Sequence, residues 1–163
     1  MIKLSKSIIG SEEIKNVTDV LNNQYLGMGC YVKEFEKLLS DFFSRPVVCV
    51  NTGTSALHLS LQALGLKSND EVLVQSLTYV AAYQAISASG AIPISCEVNP
   101  DTLTIDLNDA QKKITSRTKV IMPMHYSGAV GNLQELYEFA KKNNLRVIED
   151  AAHAFGTIYN KSL

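Results

Sequence analysis

The stretch "EVLVQSLTYVAAYQAISASGAIPISCEV", residues Glu71–Val98, holds two apolar runs separated by a helical pattern. "EVLVQ" and "AIPISCEV" read as strands, and the segment between them is long enough for a crossover helix. The same alternation extends outward. "PVVCV" (Pro46–Val50) stands before it, with "KVIMPM" (Lys119–Met124) and "LRVIE" (Leu145–Glu149) after it. Strands alternating with helices predict an α/β fold with a largely parallel sheet covered on both faces. Residues 46–163 form that α/β domain, and residues 1–45 supply helices and a glycine loop ahead of it.

In the leading segment, a first helix is expected behind Ser11, with Glu12 and Glu13 favourably placed in its first turn. A second carries Val32, Phe35, Leu38, Leu39 and Phe42 at three-and-four spacing, which predicts one buried face. "YLGMGC" between them has two glycines and reads as a bent loop.

Bulk composition narrows the partners. The 163 residues carry 15 Lys plus Arg against 16 Asp plus Glu, a scattered balance with no field to attract nucleic acid or an anionic membrane. Cys30, Cys49 and Cys96 are far apart and lack CxxC spacing, so neither a disulfide framework nor a zinc site is indicated, and a reducing cytoplasm fits. No apolar run reaches the ~18 residues of a membrane span, and the N-terminus has no signal-peptide core.

Ligands of such sheets bind where the strands' carboxyl ends meet the following loops. After "PVVCV" comes "NTGTSALHLSLQALGL", in which Gly53, Thr54 and Ser55 open a helix with Leu57, Leu61 and Leu64 on one face and Gly65 as its stop. Free backbone N–H groups and two hydroxyls make a phosphate seat, although Thr54 or Ser55 serving only as a cap is the structural alternative. Neither GxxxxGK nor GxGxxG is present. After "EVLVQ", Tyr79 stands at a helix start, as a flat aromatic for a planar ligand or as packing, a role open equally to Tyr83. After "KVIMPM", His125 and Tyr126 begin a glycine-containing loop whose polar groups face the same region, with His125 bonding only the loop backbone as the alternative, and Asn132 is placed to cap the next helix.

After "LRVIE" comes Asp150. Strand alternation sends Glu149 and Asp150 to opposite sides, so one of them addresses any given pocket. Asp150 either caps a helix beginning "AAHA" or holds a positively charged ring nitrogen. A phosphate seat, a flat aromatic and an acid followed by His153 are together what pyridoxal phosphate requires. An ionised Asp150 favours the protonated pyridine nitrogen by charge pairing.

Taken in order, "YLGMGCYVKEFEKLL", "NTGTSALHLSLQALGL", "NDEVLVQSLTYVAA", "NPDTLTID", "TSRTKVIMPMHYSG" and "VIEDAAHAFGTIYNKSL" resemble the sugar aminotransferases of the DegT/DnrJ/EryC1/StrS family. The resemblance implies the large domain of the aspartate aminotransferase-like fold, with pyridoxal phosphate as cofactor. It implies that Thr54 and Ser55, with Gly53, bind the phosphate, Tyr79 stacks on the ring, Asp150 pairs with its nitrogen and His153 approaches its phenolic oxygen. Tyr25, Leu26, Gly27, Met28, His125 and Tyr126 are implied near a nucleotide-linked keto sugar, and glutamate is the implied amino donor. "HYSG" and "EDAAH" look most like members that aminate a 4-keto sugar.

The family's Schiff-base lysine lies in an SFxxxK-like segment, and no such segment occurs in this sequence. Lys119 precedes its strand, Lys141 and Lys142 end a helix, and Lys161 lies in a hairpin-like tail. The expectation is therefore an N-terminal part of an aminotransferase, inactive alone, because a positioned acid-base group is commonly worth ~10²–10⁴ in rate. A non-catalytic binding module and part of a related sugar dehydratase are the alternatives. In the family topology the strands absent here lie between "PVVCV" and "LRVIE". Their absence predicts an orphaned first strand, a bare edge on the last, and either a homo-oligomer or a local rearrangement.

Overall fold

The computed structural model describes residues 6–160. They divide at Cys49/Val50 into two compact units.

The first unit holds α1 (Ser11–Asn22) and α2 (Cys30–Phe43). Gly10, not Ser11, takes the N-cap of α1, and the Glu13 carboxylate accepts the Gly10 N–H at 2.7 Å. That bond satisfies a donor the helix leaves open, and it holds Glu13 below its ordinary value through backbone hydrogen bonds. The apolar stripe of α2 is not the buried face its spacing predicts, since Phe35 is 55% and Leu38 59% exposed.

"PVVCV" is not a strand. Its backbone donors are taken by side chains of α2: Val47 N–H donates to Ser40 Oγ at 3.0 Å, and Cys49 N–H to Glu36 Oε1 at 2.8 Å. An extended apolar segment whose N–H groups are satisfied this way has no need of a neighbouring strand.

The second unit runs α3 (Gly53–Ala63), β1 (Glu71–Gln75), α4 (Val80–Ala88), β2 (Ile92–Cys96), α5 (Leu107–Lys113), β3 (Thr118–Met122), α6 (Leu133–Lys142) and β4 (Arg146–Val147). The strands pair in parallel in the order β2-β1-β3-β4. Central β1 is buried throughout, with Val72–Val74 apolar between the buried polar ends Glu71 and Gln75, whereas β2 carries Pro93 and lies at an edge, where a missing N–H is tolerated.

Strand alternation then sorts the core into two layers. Val72, Val74, Val120 and Met122 face Leu61, Ala82, Ala85 and Ile86 of α3 and α4. Leu73 and Ile121 face Ala110 of α5 and Leu136 and Ala140 of α6. Gly65, at φ +65°, ends α3 as the sequence indicates.

The last strand departs most from expectation. It is regular over two residues and pairs only with β3 among the described residues. No helix follows Asp150; "AAHAFG" forms successive turns instead, with Ala154 N–H donating to Ala151 O at 2.8 Å and Thr157 N–H to Ala154 O at 2.9 Å.

Candidate functional site

Each crossover helix returns the chain from the carboxyl edge of the sheet to its amino edge, so the N-termini of α3 and α4 and the loops after β3 and β4 gather at the carboxyl edge. At α3, Thr52 is the N-cap, and its Oγ1 accepts the Ser55 N–H at 3.0 Å. The Ser55 hydroxyl donates to Asn51 Oδ1 at 2.9 Å. Capping therefore falls to Thr52, and the N–H groups of Gly53 and Thr54 have no hydrogen-bond partner among the described residues. A Cβ at Gly53 would meet nothing within 4 Å. Two free amides, the helix dipole and the Thr54 hydroxyl make an anion seat.

Tyr79 caps α4 through its backbone and is 73% exposed. The packing role falls to Tyr83, which lies against the core and donates its hydroxyl to Ser95 Oγ at 2.8 Å. The ring of Tyr79 is thus available to a planar group.

Beyond β3 and β4, Asp150 N–H donates to Pro123 O at 2.9 Å, and His125 N–H to Asp150 O at 3.1 Å. Asp150 is 8% exposed. Its Oδ1 accepts the Ala152 N–H at 3.2 Å, while its other oxygen has no hydrogen-bond partner among the described residues. A buried carboxylate with a spare oxygen is a place for a cation.

His153 Nδ1 accepts the Ser127 N–H at 3.3 Å. The neutral ring assigned from that contact carries its proton on Nε2 and presents a donor. Tyr126 meets His153 edge-on, with ring centroids 5.9 Å apart. Gly128, at φ +84°, lets this loop turn beneath His153, whose carbonyl would stand 3.4 Å from an added Cβ.

His125 is 3% exposed, and its Nε2 pairs with Glu149 Oε2 at 2.6 Å. Glu149 also accepts the Tyr137 hydroxyl. The His125 bond, opposed by burial and aided by Tyr137, holds the Glu149 carboxyl below its ordinary value. Burial, then the facing Glu149, pushes the Tyr137 phenol up to about 12. Sequence reasoning gave no role to Tyr137 or Gln75, and weighed Glu149 only as the neighbour of Asp150 on the opposite side of the strand. Gln75 is fully buried at the end of β1, where it donates to Leu77 O at 2.7 Å and accepts the Met124 N–H at 3.2 Å. A glutamine closing an apolar strand was the available signal.

Tyr25, Leu26, Gly27 and Met28 lie in the first unit, in a loop where Tyr25, Leu26 and Met28 are 63%, 73% and 63% exposed. The Tyr25 ring covers Gly29 so closely that an added Cβ would sit 3.2 Å from it. Among the described residues no cluster of His, Cys, Asp and Glu fits a metal ion, and no helix is long and apolar enough to cross a membrane.

The DegT/DnrJ/EryC1/StrS aminotransferase family matches residues 7–162. The chain belongs to that family. Among curated relatives, it is 36% identical to the dTDP-4-dehydro-2,3,6-trideoxy-D-glucose 4-aminotransferase of Saccharopolyspora spinosa, covering 94% of this chain and 41% of the relative. It is 41% identical to the GDP-perosamine synthase of Caulobacter vibrioides, covering 81% and 36%. The chain thus spans less than half the length of these family members.

Solved relatives share the fold. NtdA from Bacillus subtilis with bound cofactor PMP superposes at a TM-score of 0.84 and 35% identity, covering 91% of this chain and 35% of NtdA. The E. coli GDP-4-keto-6-deoxy-D-mannose-3-dehydratase with bound hydrated PLP superposes at 0.88 and 25% identity, covering 98% and 43%.

Proposed function

We propose that this chain is a pyridoxal-phosphate half-site of an enzyme that aminates a nucleotide-linked keto sugar, with glutamate as donor. The carrying observation is Asp150, a buried carboxylate at the strand mouth with one oxygen held by Ala152 and the other without a hydrogen-bond partner among the described residues. The cofactor, when bound, supplies an electron sink for the charge left on a substrate carbon that loses its proton. Asp150 keeps the ring nitrogen protonated by charge pairing. The Gly53 and Thr54 amides and the Thr54 hydroxyl would take the phosphate, with Ser55 adding a donor once its hydroxyl turns away from Asn51. Tyr79 would cover a ring face, and His153 would donate from Nε2 to the phenolic oxygen. These groups fit pyridoxal phosphate in charge and hydrogen-bonding sense at each position.

Amination is favoured over dehydration because the higher identities, 36% and 41%, are to a sugar aminotransferase and a perosamine synthase, against 25% for the dehydratase. In the second unit, Tyr126 at the carboxyl edge offers a hydroxyl to the sugar. A homo-oligomer belongs to the same reading, since β4 leaves an edge unpaired among the described residues and such edges recruit strands. A monodisperse monomer by light scattering contradicts that part.

In the second unit Lys67 precedes β1, Lys112 and Lys113 end α5, Lys119 lies second in β3 rather than ahead of it, and Lys141 and Lys142 end α6. All six fall toward the amino edge, and Lys161 lies outside the described residues. None of these six stands at the carboxyl edge, and the half-site reading is that the chain alone binds the cofactor without turning it over. Incubation with pyridoxal phosphate and glutamate should release 2-oxoglutarate no faster than a chain-free control, and a second polypeptide supplying the lysine should restore release. Turnover by the chain alone would contradict the half-site reading.

A further inference from the structure

Pro123 follows β3, and its ring nitrogen carries no hydrogen. Along the β3–β4 pair, Ile148 N–H donates to Ile121 O at 3.1 Å and Asp150 N–H to Pro123 O at 2.9 Å. The return bond expected between them, from the nitrogen of residue 123 to the carbonyl of Ile148, cannot form. Regular pairing accordingly stops at Val147 and resumes as an isolated bridge between Met124 and Asp150. The ladder loses a bond immediately before the residue whose carboxylate defines the site, on a strand with no other described neighbour.

The Glu149 side chain spans the same gap. One carboxylate oxygen pairs with His125 on the continuation of β3, at 2.6 Å, and the other accepts the hydroxyl of Tyr137 on α6. His125 is itself tied through its backbone N–H to Asp150 O. A closed circuit results, from Glu149 to His125 to Asp150 and back along the chain, braced against α6 by Tyr137. A bond between a carboxylate and a buried ring is stronger than the amide bond it replaces.

We infer that Glu149 is a positioning residue, which with His125 and Tyr137 substitutes for the ladder bond denied by Pro123 and so fixes the carboxylate of Asp150. The inference rests on the half-site reading for its purpose but not for its test, because the circuit exists without cofactor.

The test is amide hydrogen exchange on the chain without cofactor, comparing wild type, Glu149→Ala and Glu149→Gln. In Glu149→Ala the His125 and Asp150 amides should exchange about tenfold faster or more. The Leu73 and Val74 amides, in the middle of the sheet, should stay within about twofold. Glu149→Gln, whose amide can still accept from Tyr137 and donate to the ring, should recover most of the protection while shifting the His125 ring ¹⁵N resonances.

Unchanged exchange at His125 and Asp150 in Glu149→Ala would overturn the inference, as would equal acceleration at the sheet centre, which marks general destabilisation. Should Glu149→Ala not fold, His125→Gln takes its place with the same expected pattern. Pyridoxamine phosphate binding is read in parallel. Glu149→Ala should weaken it about tenfold, with no further loss when combined with Asp150→Asn, and independent losses would count against the inference. If wild type binds no pyridoxamine phosphate, the half-site reading falls while the exchange result still decides the positioning role.

Discussion

The two edges of the parallel sheet each bury a carboxylate, and they treat it in opposite ways. At the amino edge Glu71, 2% exposed, is fully engaged: Arg117 donates from Nε at 2.9 Å and from Nη2, and the hydroxyls of Thr115 and Thr118 close on the other oxygen. At the carboxyl edge Asp150 keeps an oxygen with no hydrogen-bond partner among the described residues, the amides of Gly53 and Thr54 likewise have none there, and Tyr79 is exposed. A buried charge is retained only when its partners are supplied. The protein supplies them itself at one edge, and the other is left for a ligand to complete.

The largest expected effect separates the edges by stability. Arg117→Ala leaves Glu71 buried with neutral partners only and should cost about 2–3 kcal/mol in urea unfolding, discounted because Arg117 is itself 60% exposed. Cofactor affinity, corrected for the folded fraction, should not change. Asp150→Asn should do the reverse. It keeps an oxygen for Ala152 N–H and shifts stability by less than about 1 kcal/mol, yet weakens cofactor binding about tenfold to a hundredfold through loss of a charge-assisted bond.

Acid sharpens the same contrast. Burial raises the Glu71 carboxyl, but the bonds from Thr115, Arg117 and Thr118 and the charge of Arg117 outweigh it, leaving it below its ordinary 4.5. Glu149 is lowered too, chiefly by His125. A carboxyl with a depressed folded value contributes stability that is present above its unfolded value and lost as pH falls through the folded one. Unfolding free energy should therefore drop below about pH 4.5, and Glu71→Gln should flatten the slope. Smallest of the set, Thr52→Ala should cost about 1 kcal/mol as a lost N-cap. Because Thr52 also orders Ser55, the variant should weaken phosphate binding alongside.

The sequence made the second unit legible where local pattern decides structure. The apolar runs Val72–Val74 and Val120–Met122 lie in strands because both faces are covered there, and the leucines of α3 face the core as their spacing requires. "PVVCV" carries the same pattern, yet its donors go to Ser40 and Glu36, partners that lie on a helix and follow no local rule. The alternative of a helix capped by Asp150 fails for a similar reason, because His153 and Gly128 hold that segment in turns against the loop after β3. Asp150 and Tyr79 were readable as strand-end features, and the α3 N-terminus from its own capping and glycine pattern, since no strand precedes it among the described residues. The hold of Glu149 on His125 and Tyr137 was not, since it joins three elements distant in sequence.

The most direct test of the open edge is calorimetric titration of the purified chain with pyridoxamine phosphate, whose amine cannot condense with stray lysines, set against Asp150→Asn. The account predicts one saturable site in the wild type that weakens about tenfold or more in the variant. Absence of binding, or equal binding by both proteins, would contradict it.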